Sequence, residues 1–390
     1  MTVNTKTKTN FTLNTRRSVL TGLILIVGIM MASSDGIKGF FGTLFNYGNL
    51  SESYHEMMRT SHDPDIRFGN FSPDGTKVVL NYRPMVDNEE GISYIGILEI
   101  ATGKIQLIRP PEEYEMWYDG SFSPDGKEMV FSFSKKNEKL GLAILDLSTM
   151  THRIVVTSDT AKKNASFSPD GKRLIYVGIT NDTYTDNNKI ASGKSNDIFE
   201  YDLIQGKETR LTQLHYRSGG AAPRYFPDGE QYIFSAEYPY AFVPTFELAN
   251  AHRKQYEENT TYIFNRNVMQ IEAIPAIIHK DHSRFTDISQ DGKKILCIAR
   301  SHLHKTGAYN YDLFLYENGQ IRQLTDLQWK IIDAALTPDG NQAVFVADTT
   351  PSRGSERKLY LYNIETNTTA PIELKPENIT WLDAKYEDKK

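Results

Sequence analysis

Cysteine is nearly absent from this chain. Among 390 residues there is only Cys297, and a single thiol cannot form an internal disulfide, so a disulfide-built scaffold is excluded. Cys297 sits in the apolar run Lys294-Ile295-Leu296-Cys297-Ile298-Ala299 and reads as a core residue. Positive charge is not in excess either. Lys and Arg number 44 against 49 Asp and Glu, for a net charge of −5, which excludes the basic footprint of a nucleic-acid binder. The sequence has no Gly-x-Ser-x-Gly elbow, no His-Glu-x-x-His pair and no Gly-rich phosphate loop, so the commonest hydrolase, zinc-peptidase and nucleotide-binding signatures are missing. Long apolar runs are lacking as well. Val19 to Ala32 is the main one. At about 14 residues it makes a helix of roughly 21 Å, whereas a full membrane span takes about 20 residues.

That run has a particular setting. Lys6, Lys8, Arg16 and Arg17 precede it, and Ala32-Ser33-Ser34 follows. Cations, a short apolar helix and small residues in that order make an export signal. Thr15-Arg16-Arg17-Ser18-Val19-Leu20 also has the form of a twin-arginine signal. No cysteine stands near the cleavage region, which argues against a lipoprotein anchor. Two fates remain open. The segment is either cleaved after residue 34 or retained as an inner-membrane anchor spanning residues 18–33, with Phe40, Phe41, Leu44 and Phe45 extending the membrane contact. In both cases the cations stay inside and the rest of the chain is expected to be periplasmic or otherwise extracytoplasmic.

What the chain has in abundance is one short turn, repeated six times: Phe71-Ser72-Pro73-Asp74-Gly75, Phe122-Ser123-Pro124-Asp125-Gly126, Phe167-Ser168-Pro169-Asp170-Gly171, Tyr225-Phe226-Pro227-Asp228-Gly229, Ile288-Ser289-Gln290-Asp291-Gly292 and Leu336-Thr337-Pro338-Asp339-Gly340. The aspartates lie roughly 45 to 63 residues apart, the period of a repeat architecture. Proline sets φ at the first central position, aspartate bonds its own backbone and glycine takes the left-handed position, which closes a hairpin. A β-branched and aromatic strand follows each glycine, as in Glu128-Met129-Val130-Phe131-Ser132-Phe133. A third strand follows, such as Asp197-Ile198-Phe199-Glu200-Tyr201-Asp202-Leu203, and then a fourth, such as Thr209-Arg210-Leu211-Thr212. Four strands in about 45 residues make one propeller blade. The spacing therefore predicts an all-β fold, a six-bladed β-propeller of four-stranded antiparallel blades, preceded by an N-terminal hydrophobic signal or anchor helix. The expected plan is residues 1–34 as signal or anchor, 35–62 as linker, 63–384 as propeller and 385–390 as a polar tail. Ile379-Thr380-Trp381-Leu382 is a candidate ring-closing strand.

The pattern Ser-Pro-Asp-Gly-Lys, apolar strand, Asp-Ile-Phe-x-x-Asp-Leu, x-x-Arg-Leu-Thr resembles the WD-type repeats of the TolB propeller family over about four fifths of the chain. The second, third and sixth repeats match well, the fifth lacks its proline and the fourth carries an insertion. The resemblance implies a TolB-like propeller without the α/β domain that precedes it in TolB.

Alternating strand direction puts the six turns on one rim and all the variable loops on the other, where binding is expected. Residue types that make interface anchors stand there: Trp117, Tyr118, His215, Tyr216, Arg217, Trp329 and Lys330. The fourth repeat adds an insertion, Tyr238 to Asn259, with a short helix expected over 247–257. Asn181 to Asn188 forms an oxygen-rich loop of the kind that binds calcium or is simply solvated. His279, His282, His302 and His304 flank the fifth repeat's hairpin and are candidates for a divalent metal such as zinc or manganese. The leading reading is a non-catalytic exported propeller that binds a protein or peptide partner in the cell envelope. The alternative is a glycan-active or glycan-binding propeller with a metal on its fifth blade, by resemblance to oligogalacturonate lyases. Those enzymes have seven blades and a ligand spacing this chain does not reproduce, so no catalytic residue is carried over.

Overall fold

Each Pro-Asp-Gly turn closes as its chemistry dictates. The glycine N–H donates to the carbonyl three residues back at 2.8 to 2.9 Å in all six turns, and the glycine φ lies between +67° and +73°. In five turns the aspartate Oδ1 accepts the Ser or Thr hydroxyl two residues earlier at 2.6 to 2.7 Å. That hydroxyl bond is the main cause holding the carboxyls of Asp74, Asp125, Asp170, Asp291 and Asp339 below the usual range. The fourth turn has Phe226 in the serine position, and Asp228 there accepts the N–H groups of Glu230 and Gln231 instead.

The computed structural model describes residues 64–86, 89–90, 93–135, 141–157, 161–186, 189–212, 223–237, 259–268, 270–274, 283–303, 309–350 and 356–386. The expected signal or anchor, the linker and the insertion helix lie outside them. Ser61–Lys390 form one unit, distinct from Met1–Thr60. Among the described residues no helix is long and apolar enough to cross a membrane.

The turns join antiparallel strands. In the first repeat Asp65–Phe71 pairs with Lys77–Arg83, then Tyr94–Glu99, then Lys104–Arg109. The second repeat runs Tyr114–Phe122, Glu128–Lys135, Gly141–Asp146, Thr151–Thr157. The third and fourth repeats form four-stranded sheets in the same order. The expectation of six separate blades is corrected by the hydrogen bonding. Four sheets have blade size, whereas the strands of the fifth and sixth repeats form one eight-stranded sheet. The cause is a single parallel pairing, Tyr311 with Lys330, that bridges Tyr309–Glu317 to Lys330–Leu336. A second correction concerns Asn181 to Asn188. Arg173–Asp186 and Lys189–Asp202 continue pairing to Asp186 with Lys189, so most of the expected loop is a hairpin arm.

Second strands are buried on both faces, as in Met129–Phe133 and Ala343–Ala347, because neighbouring repeats pack against each side. Six apolar clusters result, each drawn from two adjacent repeats. The last joins Ala335, Val344, Val346 and Leu359 to Ile66, Val78, Leu80 and Leu98, bringing the sixth repeat against the first. Cys297 is fully buried in the cluster between the fourth and fifth repeats.

The C-terminal residues bind the outer edges of two sheets. Ile379–Asp383 pairs in parallel with Lys104–Arg109, and Lys385–Tyr386 pairs in parallel with Thr151–Thr157. The expected closing strand is therefore a fifth strand outside the first blade, and the expected polar tail begins as a strand. His152 anchors this strap. Its Nδ1 lies 2.7 Å from the Lys385 carbonyl, which can only accept, so Nδ1 carries the proton and Nε2 accepts from the Tyr114 hydroxyl at 2.8 Å. Burial lowers the pKa of this histidine.

Candidate functional site

In five of the six repeats the pairing of the first strand is interrupted. The pairing register shifts between Phe68 and Phe71, Tyr118 and Ser121, Lys163 and Ser166, Phe285 and Asp287, and Ile331 and Asp333. Such bulges re-aim side chains. Polar groups of the first strands reach the neighbouring repeat beside these bulges, and in the fourth repeat Ser235 of the second strand does so instead. Asn70 Oδ1 accepts the Phe122 N–H at 2.7 Å, and Asp119 Oδ2 accepts the Asn164 N–H at 3.2 Å. Ser166 Oγ donates to the Pro223 carbonyl at 2.8 Å, and Ser235 Oγ accepts the Phe285 N–H at 2.8 Å. Asp287 Oδ2 accepts the Leu336 N–H at 3.0 Å, and Asp333 Oδ2 accepts the Phe68 N–H at 2.8 Å. The six bonds form a cycle that returns from the last repeat to the first.

Inside this ring is a cavity of about 400 Å³. It opens among the repeated turns, whose Pro73, Pro124, Pro169, Pro227 and Pro338 line it. In five of the six repeats the residue immediately before the turn's first residue lines this cavity. Read around the ring, this position holds Asn70, Ser121, Ser166, Arg224, Asp287 and Ala335, and the first five line the cavity. This column lies on the rim of repeated turns, opposite the rim where binding was expected from sequence, and was not among the expected site residues. Its signal was available: in a strand, alternate residues face opposite sides, so a polar residue just before the apolar residue that opens a turn is placed to face the axis.

Charge is concentrated at Arg224 and Asp287. Arg224 is 8% exposed, with Nε 3.8 Å from Asp287 Oδ1. Asp287 has both oxygens engaged, Oδ1 by the Ile288 N–H at 3.0 Å and Oδ2 by that of Leu336. Burial raises the Asp287 carboxyl to about 6, with Arg224 pulling it down. Burial likewise raises Asp119 to about 6, opposed first by the Asn164 N–H and then by Lys163. Among the described residues, two donors lining the cavity have no hydrogen-bond partner, Arg224 Nε and Ser121 Oγ.

The candidates named from sequence fall elsewhere. Trp117 is 0% exposed and packs on Phe131 with ring centroids 4.1 Å apart, so it is a core residue and not an interface anchor. Tyr118 is half-buried in the same strand, and burial raises its phenol. Trp329 is half-buried against Tyr360, centroids 4.8 Å apart. Lys330 is half-buried opposite Asp348. His215, Tyr216 and Arg217 lie outside the described residues, as do His279, His282 and His304; His302 falls in the strand Lys294–Leu303. Among the described residues no group of three or more His, Cys, Asp or Glu could hold a metal.

Radially packed antiparallel sheets around an axial cavity define a β-propeller, and the arrangement is TolB-like. The chain is similar to TolB from Acinetobacter baumannii, at 16% identity and a TM-score of 0.52, over 80% of this chain and 64% of that one. It is also similar to hydrazine synthase from Kuenenia stuttgartiensis, at 11% identity and a TM-score of 0.50, over 83% of this chain and 47% of that one. An oligogalacturonate lyase in complex with manganese matches at 15% identity and a TM-score of 0.49, over 80% of this chain and 79% of that one. The chain thus spans less than two thirds of the TolB structure it matches. No protein-family model matches it.

Proposed function

We propose that this chain is a non-catalytic propeller that binds a protein or peptide partner in the cell envelope, exported by its N-terminal segment. In this reading the eight-stranded sheet serves as two blades, making six, and the partner engages the axial cavity from the rim of repeated turns. The observation that carries the reading is the cavity itself. It combines apolar walls, a few convergent polar groups and two unspent donors, which is the composition of a binding pocket. Tyr118, His215, Tyr216, Arg217, Trp329 and Lys330 are retained as a second contact surface on the opposite, variable-loop rim.

Crosslinking in native membranes followed by mass spectrometry tests the partner. Specific crosslinks from residues around the cavity mouth are expected, and a chain that yields none overturns the reading. Protease shaving of spheroplasts tests export: the propeller should be digested from outside. The alternative, a metal-dependent glycan propeller, rests on His302 lying at the end of its strand away from the turns, the same end at which Arg284 begins the repeat. With His279, His282 and His304 it would hold a divalent ion. Near-stoichiometric zinc or manganese in the purified protein, lost in the His302→Ala, His304→Ala double variant, would favour that alternative.

A further inference from the structure

The cavity has more to say about what enters it, if it is the binding site proposed above. Its polar column holds one cation, Arg224, and one acid, Asp287; the other members are neutral. Asp287 spends both oxygens on backbone N–H groups and stays 3.8 Å from Arg224 Nε. Arg224 Nη1 donates to the Pro223 carbonyl at 3.2 Å. The Nε–H remains a buried donor with no acceptor, and the Ser121 hydroxyl on the same cavity is in the same state. A buried polar group left without a partner is unfavourable, and a ligand acceptor would remove that penalty.

We propose that the axial cavity takes a single carboxylate at the end of an extended peptide, held by Arg224 and Ser121. Three features select this ligand. Guanidinium and hydroxyl donors match a carboxylate, and the charge-assisted bond is the stronger kind. A dianion such as phosphate meets Asp287 beside the only arginine of the column, so a monoanion fits better. A sugar chain would bury many hydroxyls against prolines and against Phe122, Phe167, Ile288 and Leu336, and most of those hydroxyls would lack partners. A peptide terminus presents one charged group and a slim chain, and the ring of turns admits it end-on. Capture of a C-terminal carboxylate is a known mode of peptide recognition.

The test follows the arginine Nε–Hε signals of detergent-solubilised full-length protein by NMR, with the Arg224 signal assigned by its loss in Arg224→Lys. N-acetylated penta-alanine with a free carboxylate should shift that signal saturably, with a Kd at or below about 1 mM. The C-terminal amide of the same peptide should not shift it. Arg224→Lys should weaken peptide binding at least about tenfold, because a point charge replaces the planar fork. Ser121→Ala, which leaves the charge in place, should weaken it about fivefold, the loss of one ordinary hydrogen bond. No saturable shift up to about 50 mM peptide, far weaker than any useful affinity, overturns the proposal. An equal response to the amide overturns it too, as does tighter binding of trigalacturonate or inorganic phosphate. The two readings fail separately: crosslinks at the cavity mouth that survive Arg224→Lys unchanged leave the partner in place and remove the carboxylate.

Discussion

Asp333 stands where the last repeat meets the first, and its replacement measures how firmly the ring is closed. Its Oδ2 accepts the Phe68 N–H at 2.8 Å, and its Oδ1 lies 3.6 Å from Arg284 Nη2. Beside it, Arg67 donates to the Ile332 carbonyl at 3.2 Å, and Arg357 pairs with Asp65. Asp333→Ala leaves the Phe68 N–H without its acceptor. A hydrogen bond to a charged group contributes about 1.5–3 kcal/mol. The Arg284 side chain is 37% exposed, so its looser pairing adds less than about 1 kcal/mol. The expected loss is therefore about 2–3 kcal/mol. The folded unit has about 330 residues. At about 2.1 cal/mol/K per residue its unfolding entropy is about 0.7 kcal/mol/K, so Tm should fall by roughly 3–4 °C. Asp333→Asn keeps an oxygen for Phe68 and should lose only about 1–2 °C. Differential scanning calorimetry reads both. An alanine variant within about 1 °C of wild type, or an asparagine variant as damaged as the alanine one, refutes the closure described here.

Three further outcomes follow from the same geometry. At Gly69 an added Cβ would sit 2.1 Å from the Gly120 carbonyl oxygen, so Gly69→Ala should destabilise by more than about 3 kcal/mol or abolish soluble expression, measured by urea unfolding. His152 has its pKa lowered by burial. Below its ordinary value the unfolded chain binds more protons than the folded one, so the histidine's contribution is full above about pH 6.5 and is lost as pH falls below it. His152→Gln should accordingly show a smaller loss of stability than wild type between pH 7.5 and 5. Asp119 runs the other way. Its folded pKa is raised to about 6, so the folded state holds the proton longer and stability declines as pH rises from about 4 to 6. Asp119→Asn should flatten that window in pH-dependent unfolding.

How much could be read beforehand differs from residue to residue. The turn chemistry was fully legible, because Ser168-Pro169-Asp170-Gly171 meets every demand of its hairpin within five positions. The fifth copy was legible only as a weak turn. Its Gln290, in the place of proline, keeps an N–H that donates to the Pro338 carbonyl of the next turn at 2.8 Å, a bond no local rule anticipates. Trp117 was misread because an aromatic near a strand's start looks the same whether it faces a neighbouring sheet or solvent. The polar column ending in Arg224 and Asp287 was present in the alternation but acquires meaning only when six copies face one axis.

The sequence by itself determined the repeat, the hairpins and the alternation of buried and axial residues, since these depend on backbone preferences and periodicity over a few residues. Tertiary structure decided what those elements meet. The bond from Asp333 to Phe68 joins residues 265 apart, and that from His152 to the Lys385 carbonyl joins residues 233 apart. Whether Tyr311 bridges to Lys330, and whether Arg224 ends with an unspent donor, depends on how neighbouring sheets settle against each other. That packing is collective, and no short stretch of the chain encodes it.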